Sequence, residues 1–196
     1  MTSRIRVSAG AIFLLSVLYF FGGFISLAAL LLAAAAHELG HIIIIKLLGG
    51  GIKYLRFEAS GMCMSLCGIN SAASEAAALL AGPAAGLIFA LICAHYGSET
   101  ANRVLLECAG YGILLTAYNM LPALPLDGGR AAFVMLSGAF GRERAEKIIW
   151  YLGFITGLSL SAAGLVLLGK EFGTALMIAG IWILIAQTGI VKNMCL

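Results

Sequence analysis

The segment 24–48 has the sequence FISLAALLLAAAAHELGHIIIIKLL, which is apolar for long enough to cross a bilayer as a helix. Near its middle it carries three ionisable residues, His37, Glu38 and His41. Placing one charged residue at the bilayer centre costs about 2.5 to 3.5 kcal/mol on insertion scales, so a cluster of them needs an internal partner. The segment therefore predicts a membrane protein with a functional site inside the hydrocarbon region.

The three ionisable residues form an H-E-x-x-H motif, whose spacing suits a metal site. Residues four apart share a helix face, so His37 and His41 can direct both imidazoles at one Zn²⁺, while Glu38 can reach a water molecule at the metal. Short motifs also occur by chance, but that explanation is weak at this depth in a membrane. From His41 and His37 to Leu48 the helix rises about 10 and 16 Å, at ~1.5 Å per residue. The metal is therefore predicted to lie inside the membrane, toward the Leu48 end.

The rest of the chain has the same apolar character. Of its 196 residues, 62% are hydrophobic and 11% are charged, which leaves too little polar surface for a soluble globule. We predict an all-α integral membrane protein, a single domain over residues 1–196 without an appended soluble domain. Because backbone groups in hydrocarbon must bond internally, its apolar blocks are predicted to form about six transmembrane helices. These blocks are 7–21, 24–48, 72–96, 101–121, 148–168 and 172–191.

The basic residues predict how these spans are oriented. With a cytosolic N-terminus, all Lys and Arg residues except Arg103 and Lys170 fall at cytosolic ends or loops. The positive-inside rule then favours two cytosolic termini and an active site toward the cytosolic side, and we expect a multi-pass protein of a bacterial plasma membrane. The net charge of +3 is scattered and not gathered in a stripe, which argues against nucleic acid as a partner.

One cytosolic loop, between the second and third spans, has the pattern of a small β-hairpin. After three glycines, residues 52–57 alternate and are rich in strand formers, and 62–66 supply a second strand. The loop contains Cys63 and Cys67, whose spacing is that of half a metal site. No second Cys or His pair lies nearby in the sequence, so free thiols are the simpler interpretation.

A catalytic zinc takes three protein ligands and keeps a fourth position open, so the motif needs one further donor. The third histidine of the chain, His95, falls near the far end of its span and is more simply an interfacial or packed side chain. Asp127 is better placed, in the segment 119–130 (NMLPALPLDGGR), where prolines and glycines interrupt a largely apolar stretch. Irregular backbone at membrane depth indicates a lined cavity. An ordinary cytosolic turn with a solvated Asp127 is the alternative.

The H-E-x-x-H motif, together with Asn119-x-x-Pro122 and the following Asp127-Gly128, resembles the site-2 protease family of intramembrane zinc metalloproteases. The resemblance covers about residues 27–136, the predicted catalytic core. It implies one catalytic Zn²⁺ with Asp127 as the third ligand, and it suggests that Asn119 holds the substrate or the developing oxyanion. The six-span layout is nearest the branch that contains the sporulation sigma-factor processing protease.

A second element, Gly82-Pro83-Ala84-Ala85-Gly86 in the third span, is similar to a Gly-Pro element of the same family. The predicted function is thus a zinc metalloendopeptidase that hydrolyses a peptide bond in or near a transmembrane segment of a membrane protein substrate, as in regulated intramembrane proteolysis. Glu38 would take the proton from the attacking water. The lipid bilayer is a further predicted partner. A membrane-embedded regulator is a further candidate partner, and the sequence does not identify it.

Because a membrane helix must unwind before it is cleaved, an extended substrate could pair with the hairpin 52–66. A hairpin that only caps the helices is equally consistent with the sequence. Two other functions are weighed. A divalent-metal transporter would need polar residues at several depths, whereas here they gather at one site. A catalytically silent membrane scaffold is disfavoured by the intact Glu38.

Overall fold

The computed structural model describes residues 4–7, 9–58, 61–67, 71–170 and 173–188. These residues form six helices and three strands. The strands are β1 (Arg4–Val7), β2 (Gly51–Glu58) and β3 (Gly61–Cys67), and the helices are α1 (Ala9–Leu47), α2 (Ala72–Glu99), α3 (Arg103–Asn119), α4 (Asp127–Phe140), α5 (Arg142–Val166) and α6 (Gly173–Gln187). The predominantly helical prediction is confirmed.

Three helical segments in the described residues have the length and apolar composition to cross a membrane: Gly22–Leu47, Ala72–Glu99 and Arg142–Val166. Helix α6 is apolar but shorter. Six helices are present among the described residues and three segments satisfy this measure, so the number of about six spans stays a prediction.

The first two predicted blocks, 7–21 and 24–48, fall largely within α1, which consists of two helices joined by a kink at Gly23. The Gly23 backbone is not helical, with φ at 75°, a value that glycine adopts without a steric penalty. Helix α4 was not predicted as an apolar block, because it has only 14 residues and starts within the interrupted segment that contains Asp127.

The chain divides into two compact units, and the first comprises Met1–Tyr118. Its helices α1 and α2 approach closely at Gly40, where an added Cβ would overlap the carbonyl of Ala81 and lie 2.5 Å from the Cβ of Ala85. Small residues allow this approach between helices in a membrane. The Ser71 hydroxyl starts α2 by accepting a hydrogen bond from the Ser74 amide at 3.0 Å.

The strands of this first unit form one sheet in the order β1-β2-β3. Strand β2 pairs in parallel with β1 and antiparallel with β3, over the segment where the sequence predicts a hairpin. The connecting residues 59–60 lie outside the described residues. Because β2 is paired on both sides, β1 and β3 are the edge strands.

The second unit comprises Asn119–Leu196. Helices α5 and α6 pack through glycines: a Cβ at Gly164 would overlap the Met177 backbone, and one at Gly180 would lie 2.5 Å from the Ser161 hydroxyl. Before α4, residues 120–126 form turns without helix. Gly141, with φ at 81°, separates α4 from α5. The prediction of one domain over residues 1–196 stays a prediction.

Candidate metal centre

The two histidines of the H-E-x-x-H motif point inward from α1. His37 is 4% exposed and His41 is 6% exposed. Their Nε2 atoms lie 3.3 Å apart, and their rings stand edge to face at an interplanar angle of 74°. Ligand atoms about 2.0 to 2.1 Å from a tetrahedral zinc are about 3.3 Å from each other, so the spacing of these two nitrogens fits one ion.

A backbone carbonyl of α2 fixes the orientation of one of these rings. The His41 Nδ1 lies 2.7 Å from the Ala78 carbonyl oxygen, which can only accept, so Nδ1 carries the proton. The Nε2 of the neutral ring then keeps its lone pair, and this lone pair faces His37. A metal-binding histidine commonly donates its other N–H to a carbonyl in this way. The tautomer that binds a metal is therefore built into the contact between α1 and α2.

Glycines of α2 provide the space for both imidazoles. A Cβ at Gly82 would overlap the His41 ring, and a Cβ at Gly86 would lie 3.4 Å from the His37 Nδ1 and 3.0 Å from the Thr116 hydroxyl. The resemblance to a family element points to these glycines, but the sequence alone does not reveal this role. A signal was present, because Gly82 and Gly86 are four apart on one helix, like the histidines on the facing helix.

Asp127 is the first residue of α4 and is half-buried. The two glycines after it allow the first turn of α4 to lie directly on the preceding backbone. A Cβ at Gly128 would overlap the Met120 carbonyl, and one at Gly129 would overlap the Ala123 carbonyl. The segment DGG is thus needed for the close turn that presents the carboxylate.

Three side chains form a group that could hold a metal ion. Among the described residues, His37, His41 and Asp127 each offer a ligand atom within 4.8 Å of the others. Two imidazole nitrogens and one carboxylate oxygen are a donor set that zinc accepts, with a fourth position left for water or substrate. The donor chemistry, the spacing of the two nitrogens and the space left by Gly82 all fit a zinc ion.

The other sequence candidates lie outside this group of three ligands. Glu38 is half-buried next to His37 in α1, and Asn119 is the half-buried last residue of α3. His95 is 64% exposed, and its Nε2 lies 3.5 Å from a Glu99 carboxylate oxygen. The roles of Glu38 and Asn119 stay predictions.

Comparisons with known proteins agree with this geometry. Residues 97–160 match Peptidase family M50. Two proteins of Mycobacterium tuberculosis, from strains Erdman and H37Rv and both named zinc metalloprotease Rip3, are 30% identical to this chain over 172 residues. The match covers 83% of this chain, but the chain spans only 42% of the length of these relatives.

A solved structure shares the fold. The site-2 protease from Methanocaldococcus jannaschii superimposes with a TM-score of 0.72 at 20% sequence identity. The superposition covers 94% of this chain and 88% of that protein. At this identity the likeness concerns the fold.

Proposed function

We propose that this chain is an intramembrane zinc metalloendopeptidase of the M50 peptidase family of site-2 proteases, which its similarity to that family and to the zinc metalloprotease relatives supports. Its reaction is hydrolysis of a peptide bond in or near a transmembrane segment of a membrane protein. Residues 27–136 are the proposed catalytic core. The branch that contains the sporulation sigma-factor processing protease remains the nearest by motif and layout alone.

The observation that carries this proposal is the buried pair of Nε2 atoms, 3.3 Å apart, with the His41 Nδ1 held by the Ala78 carbonyl. At this distance the two nitrogens either share a proton in a hydrogen bond or bind one cation together. The spacing suits a zinc ion, and we propose that His37, His41 and Asp127 hold it.

Glu38 is the proposed general base. A bound zinc would polarise the scissile carbonyl and lower the pKa of the attacking water toward ~7. The Glu38 carboxylate, next to a ligand in the sequence, accepts the proton of that water and later delivers it to the leaving amine nitrogen. Asn119 is the proposed contact to the substrate backbone or to the oxyanion that develops during attack. The buried imidazoles and the α2 glycines keep bulk water out of the site.

The substrate is proposed to enter as an extended segment, because a helix must release its carbonyls before one of them can be attacked. Strand addition supplies backbone hydrogen bonds without requiring a particular side-chain sequence. Since β2 has partners on both sides, the added strand would pair with β1 or β3. A sheet that only caps the helices is the alternative for this element.

The proposed location is a bacterial plasma membrane, with the active site toward the cytosol and both termini on that side. Helix α5 supports this orientation, because Arg142, Arg144 and Lys147 stand in its first turns and Trp150 and Tyr151 follow. Basic residues at the cytosolic end of a span and an aromatic pair at headgroup level are typical of this arrangement.

A cleavage assay with bound metal quantified tests the proposal. Purified wild type and Glu38→Gln are compared in detergent on a tagged membrane substrate, with Glu99→Gln as the matched control at an exposed acid. General base catalysis contributes roughly 10²- to 10⁴-fold, so Glu38→Gln should bind metal normally and lose at least 10²-fold in rate. Glu99→Gln should cleave like wild type.

Two results would count against the proposal. If Glu38→Gln cleaved the substrate at the wild-type rate, Glu38 would not be the general base. A wild type that binds metal but cleaves no member of a panel of membrane substrates would favour a transporter or a silent scaffold.

A further inference from the structure

The end of α6 contacts the turn that presents Asp127. The Gln187 side-chain amide donates a hydrogen bond to the Leu124 carbonyl at 3.0 Å, across 63 positions of sequence. Because that carbonyl can only accept, the amide nitrogen must be the atom that faces Leu124. Leu124 lies three residues before Asp127, within the turns between α3 and α4.

The Gln187 amide is held in place from two sides. An added Cβ at Gly153 of α5 would lie 2.7, 2.8 and 2.9 Å from the Nε2, Cδ and Oε1 atoms of Gln187. The amide therefore rests against a surface that only glycine leaves open. On the backbone side, the Trp150 indole nitrogen donates to the Gln187 carbonyl at 3.1 Å. Both contacts fix the direction in which the side chain reaches Leu124.

The turn that receives this bond has few backbone donors of its own. Pro122 and Pro125 have no N–H, and the bonds of the segment itself are Ala123 to Leu121 at 2.8 Å and Leu126 to Ala123 at 2.9 Å. In the described part of the chain, the Leu124 carbonyl takes its hydrogen bond from Gln187. The first turn of α4 lies directly on this segment through Gly128 and Gly129. A shift of the turn would therefore move the Asp127 carboxylate.

We propose that Gln187 is a positioning residue for the metal ligand Asp127, acting through the Leu124 carbonyl and held by Gly153. This inference rests on the proposed function, because it takes Asp127 to be a zinc ligand. Partners one step beyond a metal ligand typically change metal affinity by 10- to 100-fold. Gln187 acts through the turn, so we expect about a 10-fold weaker zinc affinity when its donor is lost.

Two independent variants test this role in the full chain in detergent. Gln187→Met keeps the side-chain length and removes the donor, and Gly153→Ala keeps the donor and displaces it. The matched controls are Thr188→Val, which removes a local bond to the Ile185 carbonyl, and Gly138→Ala, at a glycine with open space around it. Zinc dissociation constants are measured by chelator competition, the visible spectrum of the Co²⁺ form reports ligand geometry, and thermal unfolding is followed without metal.

The expected result is a zinc dissociation constant raised about 10-fold in both variants, an altered Co²⁺ spectrum, and metal-free unfolding temperatures close to those of the controls. Excess zinc should then restore most of the cleavage. Wild-type zinc affinity in Gln187→Met and Gly153→Ala, with or without lower metal-free stability, would overturn the inference. If Asp127→Asn also binds zinc like wild type, the ligand assignment of the proposed function fails instead, so the two failures are distinguishable.

Discussion

Replacing Gly82 by alanine would place a methyl group where the structure has the imidazole ring of His41. The new Cβ would lie 2.5 and 2.6 Å from the Cε1 and Cδ2 atoms and closer still to Nε2, whereas ordinary contacts begin near 3.4 Å. The ring would have to move by about 1 Å, which is half the length of a zinc–nitrogen bond of about 2.0 to 2.1 Å. A ring displaced by this methyl group would have to return to its position to bind zinc.

The size of the effect follows from the cost of overpacking, which is typically about 1 to 3 kcal/mol. If that cost appears when zinc binds, zinc affinity falls by about 5- to 150-fold, since 1.4 kcal/mol corresponds to a factor of ten. The assay is chelator competition on Gly82→Ala, with Gly110→Ala as the control, because nothing lies within 4 Å of a Cβ at Gly110. Unchanged zinc affinity in Gly82→Ala would refute the reasoning that His41 ligates through the Nε2 atom that faces Gly82.

Three further outcomes are expected. Asp127→Asn keeps the size of the side chain but removes the ligand charge, so its zinc affinity, measured by chelator competition, should fall. Glu38→Gln should retain the wild-type affinity. Equal zinc affinity in wild type and both variants would contradict the ligand assignment. Gly40→Ala would force α1 away from the Ala81 carbonyl and should lower stability by about 1 to 3 kcal/mol in thermal unfolding, and an unchanged midpoint would argue against the close helix contact. Removing zinc with a chelator should lower the midpoint temperature of thermal unfolding, because zinc at 100 times its dissociation constant stabilises the folded state by about 2.7 kcal/mol. A midpoint that does not depend on zinc would argue against a bound ion.

The two histidines were predictable because both the signal and the geometry are local. A helix in hydrocarbon fixes the relative direction of residues four apart, so His37 and His41 share a face whatever the rest of the fold does. Asp127 could be proposed from its surroundings, since prolines and glycines at membrane depth indicate a lined cavity. In the structure it falls in one ligand group with the histidines.

Other features depend on contacts between distant parts of the chain and could not be derived from the sequence. The orientation of His41 depends on the Ala78 carbonyl, 37 positions away. The hydrogen bond from Gln187 to Leu124 spans 63 positions of sequence, and no periodic pattern in the sequence predicts it.

The position of the H-E-x-x-H motif along α1 gives the proposed cleavage products unequal lengths. His37 and His41 precede Leu47, the end of α1, by about 15 and 9 Å at ~1.5 Å per residue. An extended substrate advances about 3.3 Å per residue, so if the end of α1 marks the nearer membrane surface, the proposed cut would lie about three to five residues from it. One fragment would then leave with a short apolar end that water tolerates, while the other would keep most of the former anchor in the lipid. A single hydrolysis at this depth would detach one half of a membrane protein and leave the other half behind.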